Sequence, residues 1–453
     1  MSNSAFFKAK IKQLQQPVSA APLATFRVLF GLMMLAGTIR FWLNGWIDDL
    51  YVKPGFYFSY MGFEWVRPLG ITGMHLLFGL MLLSAVLIAI GLFYRIAIVM
   101  FFLSFTYIEL IDVTNYLNHY YFISLVAFLM IWLPAAGLFS IDARLNAQKR
   151  VSHVPLWMVG IIRLQLGMVY FFAGLAKLNP DWMLEAIPMK IWLPAKSHLP
   201  IVGSLMYKNW IAYFFSWFGA VYDLFIAFFM INGRTRPWAF IVVIGFHVAT
   251  AIFFPSIGMF PYVMMLSSLM FFSSATHQKF IDFISGNKGS VSATRMYQAN
   301  GDNYLKWMFA VYFMIQAVAP LRFLAYPDSL FWNEEGYRFS WRVMLMEKSG
   351  NTFFYVKEPS TGKTFEVNNS EFLTPLQDKM MSTQPDMILR YAHYLASVYQ
   401  KRGIKQPAVY ADCYVALNGR RSRQFIDTTV NLASQPLSWQ HYKWVLPYKA
   451  NEE

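Results

Sequence analysis

The sequence has few charged residues and only one cysteine. Asp, Glu, Lys and Arg make up 14% of the 453 residues, whereas hydrophobic residues make up 57% and aromatic residues 19%. Soluble globular chains carry about 25% charged residues, so this composition excludes an entirely soluble chain and predicts an integral membrane protein. Because Cys413 is the only cysteine, an intramolecular disulfide is excluded.

Several common motifs are missing as well. The histidines lack the His-x-x-x-His spacing of metal sites and have no cysteine partner, so no metal is predicted. No glycine-rich phosphate loop occurs, and Ser256 does not lie in a G-x-S-x-G nucleophile elbow. The net charge of +14 comes from short basic clusters between apolar runs. Such clusters are typical of loops at an anionic membrane surface and argue against nucleic-acid binding.

Nine apolar stretches are long enough to span a bilayer, so the predicted fold class is a polytopic α-helical membrane protein with about nine transmembrane helices. They lie at 23–43, 72–93, 95–112, 117–137, 157–178, 210–231, 237–254, 258–274 and 304–324. With a cytoplasmic N-terminus, most connecting lysines and arginines fall on the inner side, as the positive-inside rule requires. The C-terminal part is then expected in the periplasm, outside a bacterial inner membrane, or in the lumen of the endoplasmic reticulum.

The sequence predicts three domains. Residues 1–22 are interpreted as an amphipathic cytoplasmic segment, 23–325 as the transmembrane catalytic domain, and 326–453 as a small β-rich (α+β) extramembrane domain. In the last domain, alternating runs such as RFSWRVMLM, TFFYVK and AVYADCYVALNG predict strands. One helix is predicted between Pro385 and Gly403, which are typical residues for the start and the end of a helix.

Polar residues at three helix ends form a candidate site. Lys177 ends the fifth span, Asn118 and His119 open the fourth, and His247 lies towards the end of the seventh. In the predicted topology all three ends point outward, and ionisable residues within spans tend to face protein or a cavity. Each residue also has a structural alternative. Lys177 could extend its side chain to the membrane interface, and His247 could serve only in packing.

Lys177 also fits the role of a general base. In this interpretation Phe171, Phe172, Leu175 and Leu178 surround it with apolar groups, and desolvation favours the neutral amine that a base requires. Further charges in or near the spans are expected mostly to form buried pairs that fix helix positions. These are Arg27, Asp112, Arg163 and Asp223.

Seven segments carry a resemblance to a known family, in order along nearly the whole chain. They are TFRVLFG, IDVTNYLNHYYF, HVPLW, YFFAGLAKLNPDW, PSIGMFPYVM, FSWRVML and VALNGR. Together they resemble the vitamin K-dependent γ-carboxylase family, whose membrane part is also called the horizontally transferred transmembrane domain. The resemblance implies a nine-helix membrane enzyme with its site on the luminal or periplasmic side, followed by a β-rich extramembrane domain.

The resemblance also implies a chemistry and roles for residues. Reduced vitamin K (the hydroquinone) would react with O2 to give the epoxide, and the strong base formed on the way would remove a γ-proton from a protein glutamate, whose carbanion captures CO2. Lys177 would deprotonate the hydroquinone, and His119 and Asn118 would hydrogen-bond the quinone oxygens. Supporting or quinone-binding roles fall on His247, Trp182 and Trp341. The implied partners are the lipid bilayer, a glutamate-containing protein or peptide, and a quinone-reducing enzyme.

The chain departs from the animal carboxylases in two motifs. It has Phe339-Ser340-Trp341 where they have Tyr-Ser-Trp, and Ala176-Lys177 where they have two lysines. It is also shorter after the last span, as expected of a shorter, bacterial homologue. These departures concern glutamate recognition more than quinone oxidation. Two alternatives therefore stay open: a quinol epoxidase that leaves glutamate unchanged, and a non-catalytic membrane protein that binds lipid or peptide.

Overall fold

The computed structural model describes residues 12–286, 295–297 and 302–448, and these contain nine apolar helices at the nine predicted stretches. We label them α1 to α9: Ala21–Leu43, Gly70–Ile90, Tyr94–Ile111, Asn118–Trp132, Leu156–Ala176, Asn209–Ile231, Arg236–Phe253, Phe260–Ser268 and Asp302–Val318. Within the described residues, seven helices are long and apolar enough to cross a membrane, whereas α4 and α8 are shorter. The predicted fold class, a polytopic helical membrane protein with a strand-containing C-terminal region, is confirmed.

Small residues allow the membrane helices to approach closely. Gly31 of α1 faces α2, where a Cβ atom on Gly31 would lie 2.5 Å from the backbone nitrogen of Ala89. Helices in a membrane associate through such close backbone contact, because lipid offers no hydrophobic driving force for their association. Aromatic rings fill the space beside this contact, and Phe30 of α1 meets Phe101 of α3 edge to face with ring centroids 5.5 Å apart.

Short elements connect the long helices. Pro17–Ser19 pairs with His153–Pro155 in a two-stranded antiparallel sheet. The predicted amphipathic helix in residues 1–22 falls largely outside the described residues. The other short helices are Trp46–Tyr51, Ile141–Leu145, Pro180–Met183, Met189–Trp192, Ser274–Ser285 and Leu330–Asn333.

The C-terminal region contains a four-stranded antiparallel sheet. Its strands are β1 (Lys348–Lys357), β2 (Thr364–Val367), β3 (Ala408–Leu417) and β4 (Arg423–Gln424), in the order β2-β1-β3-β4. The predicted strands TFFYVK and AVYADCYVALNG are therefore confirmed as parts of β1 and β3.

Two helices, α10 (Pro375–Met381) and α11 (Pro385–Lys401), accompany the sheet. The second is the predicted helix, and its apolar stripe of Ile388, Tyr391 and Leu395 is fully buried. The helix forms between strand segments because its apolar stripe packs into the same hydrophobic core as residues of the sheet.

The predicted strand RFSWRVMLM is wrong, because this segment is a chain of turns between α9 and β1. Phe339, Trp341 and Met344 have positive φ angles of 58°, 59° and 51°, which a strand does not allow. The segment packs against the membrane helices instead of pairing with a strand, and the Trp341 ring stacks on Tyr121 of α4 at a centroid distance of 4.9 Å.

Polar contacts attach the C-terminal region to one end of the helix bundle. Gln377 of α10 donates to Asp112, which follows α3, at 2.8 Å. Arg420 donates to Asp181, which follows α5, at 2.8 Å. The ends of α3 and α5 and the start of α4 therefore face the C-terminal region, and we call this face of the bundle the extramembrane face.

The single thiol should be unreactive in the folded protein. Cys413 in β3 is fully buried, and burial raises the pKa of its thiol to about 12. Since the thiolate is the reactive form, we expect native protein to resist maleimide labelling at pH 7.5 and to be labelled on unfolding. A Cys413→Ser, Tyr414→Cys variant, with its thiol at the neighbouring exposed position, is the matched control. Rapid stoichiometric labelling of native wild type would contradict the buried position.

Candidate functional site

A cavity of about 330 Å³ lies between α5, α6, α7 and α8 near the extramembrane face. Its walls are mostly aromatic and aliphatic, and they include Trp182, Met189, Phe214, Phe215, Phe218, Phe246, Phe253, Phe254, Phe260 and Met264. Val343 and Met344, from the turns before β1, also line it. The cavity is thus bounded by membrane helices and by the C-terminal region together.

A buried ion pair forms the main polar patch in the cavity wall. Lys177 Nζ donates to Asp223 Oδ2 at 2.7 Å and to the carbonyl of Ala173 at 3.3 Å. The two side chains are only 8% and 9% exposed. The sequence predicted Lys177 as the base but assigned Asp223 a structural role, whereas the structure places Asp223 directly beside it.

The apolar surroundings of Lys177 differ from those expected. Phe171, Leu175 and Leu178 are 40%, 39% and 51% exposed, so they do not enclose the lysine. Phe171 and Leu175 point away because they lie on other faces of α5, and Leu178 follows the end of that helix. The enclosing groups come from elsewhere in the chain. One of them is Trp182, whose ring centroid lies 5.4 Å from Nζ of Lys177. Trp182 is held by its indole N–H, which donates to the carbonyl of Ser216 at 2.7 Å.

Gly174 permits the approach of α5 and α6 that brings Lys177 and Asp223 together. A Cβ on Gly174 would lie 2.5 Å from the backbone nitrogen of Leu224 and 2.9 Å from the carbonyl carbon of Asp223. Neither contact can be relieved by moving a flexible side chain, so a larger residue must push the two helices apart.

Replacing Gly174 by alanine should therefore destabilise the protein by about 1–3 kcal/mol, as overpacking usually does. Thermal unfolding in detergent measures the effect. Gly79→Ala in α2 is the matched control, because a Cβ there would have no atom within 4 Å. Equal melting temperatures for the two variants would show that this helix contact does not constrain the pair.

His247 belongs to a buried hydrogen-bond network next to the cavity. Its Nε2 lies 3.1 Å from the hydroxyl of Tyr170 and 3.3 Å from that of Tyr222. The Tyr170 hydroxyl also lies 3.3 Å from Ser268 Oγ. Tyr170 lines the cavity and His247 does not, so the Tyr170 hydroxyl is the polar link between His247 and the cavity. The sequence interpretation missed both tyrosines.

His119 and Asn118 do not line this cavity. The imidazole of His119 is buried, with its ring centroid 6.0 Å from that of Phe260, which does line the cavity. Its Nε2 has no hydrogen-bond partner among the described residues. Asn118 donates to the carbonyl of Arg342 at 2.8 Å, so it anchors the turns that also carry Trp341. The structure thus brings Lys177 and Trp182 together and leaves His119, Asn118 and Trp341 beyond the cavity wall.

Among the described residues, the other three intramembrane charges hydrogen-bond to neutral groups and do not form the expected buried pairs. Arg27 donates to carbonyl groups at the C-terminal end of α2, and Arg163 to carbonyl groups that follow α8. Asp112 accepts from Thr114 and Gln377. Helix ends leave carbonyl groups without intrahelical partners, and a guanidinium group with five donors can satisfy several of them at once.

Two family matches cover most of the chain. Residues 15–275 match the HTTM domain, and residues 302–451 match the lumenal domain of vitamin K-dependent gamma-carboxylase. No solved structure matches the chain. The first match alone covers more than half of the chain, and the second follows it in the same order as the membrane and C-terminal regions of the structure. The chain therefore belongs to the vitamin K-dependent gamma-carboxylase family, which implies dependence on vitamin K.

Proposed function

We propose that this protein oxidises reduced vitamin K with O2 to the epoxide and uses the strong base formed to carboxylate glutamate with CO2. The observation that carries the proposal is the Lys177–Asp223 pair in the wall of an otherwise apolar cavity. An acid–base pair is costly to bury, and a titratable pair in an apolar pocket is a common mark of a functional site.

The cavity suits a flat, apolar molecule with few polar atoms. At about 330 Å³ it lies at the lower end of the size range of ligand pockets. Aromatic walls can stack on a fused-ring head group, and the pair offers one charged contact for a phenolic oxygen. When bound, reduced vitamin K and O2 supply the oxidation chemistry, and the protein supplies the proton acceptor and a site shielded from water.

The pair, rather than the lysine alone, is proposed as the base. Lys177 and Asp223 share a hydrogen bond, so a proton can move between Nζ and Oδ2. Taking a phenolic proton changes the net charge of this unit from zero to plus one, whichever of Nζ or Oδ2 holds the proton. The positive unit then stabilises the negative oxygen that remains on the substrate. This arrangement does not require the free neutral amine expected from the sequence.

An apolar groove between α6 and α7 supports a lateral route for a lipid tail. The groove is lined by Phe225 and Trp238, among others, and it shares Phe218 and Val242 with the cavity. A ligand with its head group beside Lys177 could therefore extend its tail between these helices towards the bilayer.

Blocking this groove should weaken the binding of a long-tailed quinol but not that of a tailless quinol. We expect Val221→Trp to raise KM for a long-tailed quinol about tenfold, equivalent to about 1.4 kcal/mol, and to leave KM for a tailless quinol nearly unchanged, because Val221 lines the groove but not the cavity. Ile241→Trp is the control, because Ile241 is 59% exposed on α7 and lines neither space. The same change in KM for both quinols would contradict the tail route.

A polar chamber on the extramembrane side supports the carboxylation step. It has a volume of about 330 Å³, and its lining includes Phe339, the arginines Arg322, Arg338 and Arg390, and the acids Glu334, Glu335 and Asp386. Arg338 is paired with Asp386 at 2.7 Å. Arg322 donates only to the backbone carbonyls of Ala319 and Arg338 among the described residues. Its charge therefore remains available to a glutamate side chain of a peptide substrate.

One assay tests both steps. Purified protein receives reduced vitamin K, O2, labelled bicarbonate and a glutamate peptide, and epoxide and fixed label are measured separately. The proposal predicts both products, and it predicts that Arg322→Gln lowers label fixation while epoxide formation without peptide is unchanged. Epoxide without label would support the epoxidase alternative, and absence of both products would support the non-catalytic alternative.

A further inference from the structure

A second, smaller cavity lies among the first four membrane helices, away from the proposed quinol site. It has a volume of about 60 Å³, which is room for a few water molecules. Its polar lining consists of Thr38 and Arg40 of α1, Tyr51 of the short helix 46–51, Glu109 of α3 and Tyr120 of α4. Glu109 is the only acidic residue that lines it within the described part of the chain.

Glu109 has neither a hydrogen bond nor an ion pair to any described residue. It lies near the extramembrane end of α3 and lines the cavity. Ionising an unpaired carboxyl group in such surroundings is costly, and intramembrane acids that face a cavity commonly serve in proton transfer. The proposed reaction does not otherwise use this residue.

Other polar groups beside this cavity are also without partners among the described residues. The hydroxyl groups of Tyr51 and Tyr120 make no hydrogen bond there, although Tyr51 is only 2% exposed. Tyr120 packs on His119 with ring centroids 4.6 Å apart, and His119 Nε2 is unpartnered too. Buried polar groups normally have hydrogen-bond partners. Water molecules in the cavity would supply the partners that these groups lack.

Other charged or titratable groups near Glu109 come from four segments, namely α1, the short helix 46–51, the loop before α2, and α4. Arg40 lies at the cavity edge but stacks on the Trp46 ring, with its guanidinium carbon 4.7 Å from the ring centroid. Tyr51, Tyr60 and Tyr120 are close enough to interact electrostatically with Glu109. Tyr60 also lines the polar chamber under the C-terminal region, so groups that can carry protons extend from His119 towards the extramembrane face.

We propose that Glu109 is a membrane-embedded proton-exchange group that, with Tyr51, Tyr120 and water in this cavity, carries protons from His119 to the extramembrane side. The inference rests on the proposed function, in which the substrate hydroquinone loses its phenolic protons. The proton that the Lys177–Asp223 pair accepts from the hydroquinone passes through water to His119, and the imidazolium formed there gives one proton to the water in this cavity. Glu109 takes up that proton on one oxygen as it releases its own proton outward from the other. No electrons move and no bond to carbon changes.

Infrared spectroscopy tests the protonation of Glu109 without any turnover. In bilayers at pH 7, the spectrum of wild type minus that of Glu109→Gln should show a carboxylic-acid C=O stretching band that moves to lower frequency in D2O. The difference isolates Glu109 from other buried acids. Asp49→Asn is the control, because Asp49 is exposed and paired with Lys53, and it should leave the band in place. No band in the wild-type difference would overturn the proposal.

Kinetics test the transfer itself. Glu109→Gln should lower kcat for epoxide formation about tenfold with KM unchanged and increase the solvent deuterium isotope effect, and Glu109→Asp should restore part of the rate. An active wild type with an unchanged kcat in Glu109→Gln would overturn the relay alone. A wild type that forms no epoxide would overturn the proposed function and the relay with it.

Discussion

Replacing Lys177 by methionine is expected to lower the rate of epoxide formation by a factor of about 10²–10⁴, the usual contribution of a positioned acid–base group. Methionine keeps much of the side-chain volume but cannot accept a proton, and it leaves Asp223 without the partner 2.7 Å away. The measurement is the initial rate of epoxide formation from reduced vitamin K by protein that is monodisperse in detergent.

The control for this variant is Lys190→Met. Lys190 lies in the same connecting region after α5, and its Nζ donates to the hydroxyl of Tyr213 at 3.3 Å. Lys190 does not line the cavity. Its removal should leave the rate within about twofold of wild type, as expected of a lysine outside the site. Wild-type activity in Lys177→Met would remove this lysine from the mechanism, and equal losses in both variants would indicate a general effect on folding.

Asp223→Leu should destabilise the protein by about 3–5 kcal/mol, the cost of leaving a buried charge without its partner. The side chain of Lys177 is only 8% exposed, so its ammonium group cannot regain full hydration. The double variant Lys177→Met, Asp223→Leu removes both charges and should recover most of the stability while remaining inactive. Reversible unfolding of the four proteins in mixed detergent measures the coupling between the two residues.

Two outcomes of this cycle would contradict either the interaction between the two residues or its proposed role in proton transfer. Additive losses would mean that Lys177 and Asp223 do not interact, because the cycle then contains no coupling energy. Recovery of activity together with stability in the double variant would show that the pair serves packing and not proton transfer. The predicted result separates stability from activity, since only the charged pair can accept a proton.

The membrane helices could be predicted from the sequence because hydrophobic length alone determines which segments can span a bilayer. The helix from Pro385 was predictable for a similar local reason, since its apolar stripe recurs with helical spacing and its ends carry typical residues. The turns around Phe339 and Trp341 were not, because their alternating pattern resembles a strand. Their conformation is determined by packing on Tyr121 and other membrane residues, which are distant in the sequence.

The candidate site was predictable only in part. Lys177 was found because a lysine at the end of an apolar run is unusual, but its partner lies 46 residues further along the chain, on another helix. No local pattern distinguishes Asp223 from other intramembrane charges, and Gly174 gives no signal until the helices are seen in contact. Tyr170 could have been found, because it lies seven residues before Lys177 and therefore on the same face of α5.

Photoaffinity labelling tests whether a quinol binds in the cavity beside Lys177 and Asp223. Protein in bilayers is irradiated with a photoreactive quinol analogue, with and without an excess of reduced vitamin K, and the labelled residues are mapped by mass spectrometry. We expect competed labelling at cavity residues such as Phe218, Phe246 and Met344. Competed labelling confined to residues elsewhere in the protein would contradict quinol binding in this cavity.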